Sequence, residues 1–144
     1  MWRAEIRAIT ALEIVRHREV RQLFDRLRSA PQWSDRAIGL LRSNYQDGDD
    51  KLISEMLEDE TDPDRLHIMC IDAVDVYRDN PVSDGMGPLL LVYEKGPCST
   101  CRRTCIETIQ AVGIVPEWMI EECLYDAYSE TREFARRLRQ DAGH

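Results

Sequence analysis

Apolar residues recur along the chain at helical spacing. Ile6, Ile9, Leu12 and Val15 fall three apart and predict one inward stripe on a helix from Trp2 to about Arg16. Val20, Leu23, Phe24 and Leu27 form the next stripe, and the polar His17-Arg18 between the two fits a short helix–helix turn. The stretch from Ser29 to Asp35, broken by Pro31, ends that hairpin and offers Ser34 or Asp35 as an N-cap for the next helix. Ile38, Leu41 and Tyr45 predict that third helix, stopped by the polar run around Gly48. Leu52, Ile53, Met56 and Leu57 predict a fourth.

Asp62-Pro63-Asp64 opens a fifth helix, with Leu66, Met69, Cys70, Ala73, Val74 and Tyr77 facing inward. The breaker-rich segment from Asn80 to Pro88 is expected to be a mobile loop inserted between paired helices. Leu89 to Tyr93 has the composition of a buried strand. Nothing else in the chain offers it a strand partner, so a short helix is expected. Helices at about 98–112, started by Pro97, and 117–127, started by Pro116, come next. A last amphipathic segment, Glu130 to Gln140, closes an all-α reading as a single domain over residues 1–144.

The helices that open successive hairpins share a pattern. Ala8-Ile9-Thr10-Ala11-Leu12, Ala37-Ile38-Gly39-Leu40-Leu41, Cys70-Ile71-Asp72-Ala73-Val74 and Cys105-Ile106-Glu107-Thr108-Ile109 each start with a small residue, followed three and four positions on by a mostly apolar pair. The small residues lie 29, 33 and 35 positions apart, and Ala135 comes 30 after Cys105. Small residues at that register let the first helices of stacked hairpins approach closely.

This pattern resembles HEAT repeats, in particular the short bacterial variety typified by phycobilisome-lyase-like HEAT proteins. Ser34-Asp35-Arg36-Ala37, Asp62-Pro63-Asp64-Arg65 and Ser99-Thr100-Cys101-Arg102 look like the turn and arginine that open such repeats. The stretch from Pro97 to Asp126 looks like a recurrent terminal hairpin of small bacterial HEAT proteins. The resemblance implies an α-solenoid of about four stacked antiparallel hairpins plus a C-terminal helix, usually an adaptor or scaffold. A few relatives of that architecture are lyases or DNA-repair enzymes, which leaves an enzyme of that kind as one alternative.

Charge refines this picture. The net charge of −8 is uneven: residues 1–42 carry nine arginines against five acids, and the remainder holds 10 basic residues against 22 acids. A negative field disfavours a phosphate backbone as partner and favours a basic protein surface. Glu55, Glu58, Asp59, Glu60, Glu94, Glu117, Glu121, Glu122 and Asp126 fall mainly on the second helices, which line the concave groove in HEAT-like stacks. The resemblance therefore implies an acidic face that binds a partner protein; an ordinary solvated surface has the same composition. No apolar run reaches membrane-span length, and Met1 to Glu5 lacks the apolar core of a secretory signal, so a bacterial-type cytosol is expected.

The five cysteines supply the candidate chemistry. Cys98, Cys101 and Cys105 fall on one helix face, Cys70 holds the equivalent inward position one repeat earlier, and Cys123 lies on the next helix. A zinc or iron–sulfur site built from Cys98, Cys101, Cys105 and Cys70 is geometrically open. The competing reading is packing, because Cys70 and Cys105 do the job of Ala8 and Ala37 and free cysteine packs as a small hydrophobe. Cys98 differs: at a helix start beside Arg102 it is placed to be a reactive thiolate with Cys101 as its resolving partner. His17, His67 and His144 have no metal-ligand spacing and read as surface or capping groups. Trp33 and Trp118 read as staples of their turns. No Walker loop, GxGxxG, nucleophile elbow or HExxH is present. The main expectation is a non-catalytic interaction platform, with no required cofactor.

Overall fold

A computed structural model describes residues 2–96 and 98–143. The expected proline start at Pro97 and the role given to His144 therefore lie outside the described residues. Eight α-helices and three short 3₁₀ segments are formed, with no strand among the described residues. The helices are α1 (Trp2–Leu12), α2 (Arg18–Leu27), α3 (Asp49–Asp59), α4 (Pro63–Asp79), α5 (Met86–Lys95), α6 (Ser99–Val112), α7 (Glu117–Cys123) and α8 (Ser129–Ala142). The 3₁₀ segments are Ser34–Arg36, Ile38–Arg42 and Ser83–Gly85. None of the helices is long and apolar enough to cross a membrane.

Local chemistry sets the helix boundaries. α1 stops at Leu12, four residues before the expected end, and a neighbouring turn takes up carbonyl groups of the residues that follow it. Ser43 Oγ donates to the Glu13 carbonyl oxygen (2.8 Å), and Asn44 Nδ2 donates to that of Val15 (2.9 Å). His17 caps α2 as expected, its Nδ1 accepting the Glu19 N–H at 3.1 Å. Asp62 caps α4 through the N–H groups of Asp64 and Arg65, with Pro63 in the first turn.

The third expected helix is instead the pair of 3₁₀ segments around Ala37. Gly39 lowers helix propensity there, and a Cβ at that position would run into the Glu13 carboxylate. Asp35 does not cap; it is buried and meets Arg65 at 3.3 Å. The segment from Asn80 to Pro88 is not an extended loop. Asn80 Nδ2 donates to the Arg42 and Val76 carbonyl oxygens, each at 2.9 Å, and a 3₁₀ turn leads directly into α5. Gly85 lies so close against the Tyr77 ring that a Cβ would collide with it. α5 itself contains Leu89 to Tyr93, so the helical reading of that run holds.

The segment Ile38–Arg42 touches α1, α2 and α4; α4 packs on α6, and α6 on α8. α3 lies against α5, α5 against both α4 and α6, and α7 against α8. Ala37, Cys70, Cys105 and Ala135 are all buried in this succession, whereas Ala8 is exposed. One continuous apolar core runs from Val20 to Ala135 and takes in Phe24, Leu41, Ile53, Tyr77, Leu89, Ile109 and Met119.

Candidate functional site

The first turn of α6 holds the densest chemistry of the described residues. Cys98 is its N-cap, with an extended backbone (φ −133°, ψ 147°) that turns the side chain back over the free N–H groups of the helix start. Its sulfur accepts the Cys101 N–H at 3.2 Å, and the two sulfur atoms lie 2.8 Å apart. A CxxC pair spans one helical turn, so both thiols share a face, Cys98 at the open helix start and Cys101 one turn further into the packed helix. Accordingly Cys98 is half-buried and Cys101 buried.

Environment separates the two thiols. Burial opposes ionisation of Cys98, but the hydrogen bonds from the Cys101 thiol and from the Cys101 and Thr100 N–H groups outweigh it. With the Arg102 charge added, they lower its pKa. Burial, then the adjoining Cys98 sulfur, push Cys101 up to about 12. One sulfur is prepared to carry charge and the other to hold a proton.

His67 completes the site from the second turn of α4. Its Nε2 lies 3.3 Å from Cys101 Sγ, and the donor atoms of His67, Cys98 and Cys101 all fall within 4.8 Å of one another. The three open onto a cleft of about 320 Å³ between α4 and α6, walled by Ile71, Val74, Thr100 and Thr104, with Asp75 and Arg78 also lining it. Reading the histidines only for spacing along the chain misses His67. The signal that finds it is the 35-residue offset between Cys70 and Cys105, which brings the turn holding position 67 beside the turn holding 101 and 102.

The other proposed metal ligands lie deeper. Cys105 is fully buried and donates to the Leu89 carbonyl oxygen (3.1 Å), and burial raises its pKa. Burial likewise pushes buried Cys70 up to about 11. Burial also raises the pKa of Cys123, which adjoins the Tyr93 hydroxyl. Of the four cysteines named as candidate ligands, the structure groups Cys98 and Cys101 with a histidine.

The acids are placed differently from one another. Glu55, Glu58 and Asp59 on α3, Glu94 on α5, and Glu117, Glu121 and Glu122 on α7 are exposed. Glu60, after α3, is half-buried and paired with Arg65 at 2.5 Å. Arg139 pairs with both Glu117 and Glu121, and the Tyr93 hydroxyl donates to Glu122 at 2.9 Å. Asp126 is buried: α7 ends at Cys123, and the carboxylate turns inward to pair with Arg102 and accept the Tyr128 N–H. Trp118 does not staple its turn into the core; it is 47 % exposed and stands edge-on to Tyr93. Comparison of the chain with known protein families, with curated proteins and with solved structures finds no match.

Proposed function

We propose that the protein carries out thiol–disulfide exchange, with Cys98 as the attacking thiolate and Cys101 as the resolving thiol. The observation that carries this reading is the half-buried Cys98 sulfur, held by the Cys101 N–H at a helix start with the buried Cys101 sulfur 2.8 Å behind it. In the first step the Cys98 thiolate attacks one sulfur of a substrate disulfide; the Cys98–substrate bond forms, the substrate S–S bond breaks, and one substrate thiolate leaves. Cys101 then loses its proton and attacks the Cys98 sulfur, forming the Cys98–Cys101 disulfide and releasing the second substrate thiolate. The substrate disulfide is reduced by two electrons and the protein dithiol is oxidised. His67 Nε2, at 3.3 Å, is the base within reach of the Cys101 proton.

The scaffold reads as a HEAT-like stack of helical hairpins. Support comes from the succession of Ile38–Arg42, α4, α6 and α8, each bearing or adjoining a buried small residue at the repeat position. A second reading, a platform for a basic partner protein, is favoured by the exposed carboxylates on α3, α5 and α7. The two are compatible if the exchanged disulfide belongs to a protein docked there.

Exchange is tested with the metal-free, reduced chain and disulfide peptides flanked by arginine or by glutamate. Wild type should form the Cys98–Cys101 disulfide, seen as the loss of two hydrogens in a peptide spanning both. Cys98→Ser should abolish the reaction, and Cys101→Ser should stop at a mixed disulfide on Cys98. Reaction spread evenly over all five cysteines, or surviving Cys98→Ser, refutes the redox reading. Equal rates with both peptides at low salt refute the basic-partner reading.

A further inference from the structure

We infer that the reduced protein binds one zinc ion through His67 Nε2, Cys98 Sγ and Cys101 Sγ, with the fourth coordination position facing the cleft between α4 and α6. The donor atoms already lie within 4.8 Å of one another, and they come from two helices packed on each other. Zinc is bound by thiolate sulfur at about 2.3 Å and imidazole nitrogen at about 2.0–2.1 Å, which sets two tetrahedral thiolates about 3.8 Å apart, so the two sulfurs, 2.8 Å apart here, spread as the ion enters between them and the imidazole. Two thiolates and an imidazole are also the donor set that selects zinc over magnesium or calcium, which take oxygen ligands.

Charge and access fit the same assignment. Two thiolates neutralise the dication. Arg102, whose charge acts on Cys98, is held by Asp126. Cys105 and Cys70 are enclosed in the helix-packing core, so a fourth ligand arrives through the cleft as water or as a group of a partner. Three protein ligands plus an open position is the pattern of a reactive zinc site and not of a closed structural one.

Zinc binding needs only the geometry of the three donors; its release on oxidation rests on the exchange reading. A disulfide RSSR that converts both thiolates into the Cys98–Cys101 bond leaves as two RS⁻ and removes both sulfur ligands, so the ion departs. Zinc and disulfide are then mutually exclusive occupants of the same pair of sulfurs.

The test uses the full chain, reduced with a phosphine, stripped with chelator and desalted. Cobalt(II) titration should give one equivalent with thiolate charge-transfer absorption and a tetrahedral visible spectrum, and zinc should displace it. His67→Ala and Cys98→Ser should each weaken zinc binding by at least about tenfold, while Cys105→Ala leaves it unchanged. Helical circular dichroism of each variant checks folding. Absence of thiolate-ligated cobalt, or affinity unchanged in folded His67→Ala, overturns the inference. If zinc fails to bind but the Cys98–Cys101 disulfide still forms by exchange, only this inference falls. If zinc binds and disulfides leave it in place, the inference stands and the exchange reading falls.

Discussion

Arg21 of α2 and Asp49 at the start of α3 form a two-pronged ion pair, with Nη1 to Oδ2 at 2.5 Å and Nη2 to Oδ1 at 2.8 Å. Asp49 is only 2 % exposed, and its Oδ2 also accepts the Gln46 N–H at 2.7 Å. Arg21 Nη1 reaches the Asn44 carbonyl oxygen as well, so one pair ties α2 to the turn that leads into α3. Asp49 is buried and Arg21 half-buried, so removing Arg21 is the change that strands a charge in a buried site. Arg21→Ala should therefore cost about 3–5 kcal/mol, and the double variant Arg21→Met with Asp49→Leu should cost less than Arg21→Ala alone. Urea unfolding midpoints of the three proteins measure this.

Cys105 packs between α6 and α5, where it is fully buried. Alanine fits that space and forfeits one thiol hydrogen bond, so Cys105→Ala should cost roughly 1 kcal/mol. Leucine adds volume with nowhere to go and should cost about 1–3 kcal/mol. Thermal or urea unfolding distinguishes them; a larger loss in the alanine variant would contradict the packing role.

Most helices were legible because their signals are local. α4 shows its cap, its proline and its inward residues within one stretch, and all six residues read as inward-facing are buried. The two 3₁₀ segments around Ala37 were not legible, since Gly39 there admits the Glu13 carboxylate from a distant part of the chain. Asp126 has the sequence context of one more surface acid, because its inward turn depends on Arg102, 24 positions earlier. Cys98 and Cys101 were visible as a pair at a helix start, but His67 joins them from α4, 34 positions before Cys101, where spacing within one segment carries no signal.

Asp72 on α4 has its pKa raised to about 8, first by burial and then by the charges of Glu13 and Asp75, against the opposing pull of Arg36 and Arg42. A carboxyl raised above its ordinary value of 3.8 makes the folded state bind more protons than the unfolded chain. Its stabilising contribution is complete below that ordinary value and is lost as pH rises through about 8. Asp72→Asn mimics the neutral form, so it should flatten the fall in stability across this window and gain roughly 1–3 kcal/mol at its alkaline end. Urea midpoints measured from acid to mildly alkaline pH give the slope for each protein. A parallel pair of curves would show that Asp72 does not cause the pH dependence.

Cys101 must lose its proton before it can resolve a mixed disulfide, and its surroundings push its pKa up to about 12. His67 Nε2 at 3.3 Å is placed to take that proton, so the imidazole acts on the second step of exchange and not on attack by Cys98. In metal-free protein, His67→Ala should leave the rate of mixed-disulfide formation nearly unchanged and slow its resolution on the order of 100-fold. Acid-quenched time points read by mass spectrometry should then show the Cys98 adduct accumulating in the variant and staying scarce in wild type. Because attack and resolution are read separately, a merely structural effect is recognisable: it would slow both steps together. Resolution at the wild-type rate would remove His67 from the proton transfer.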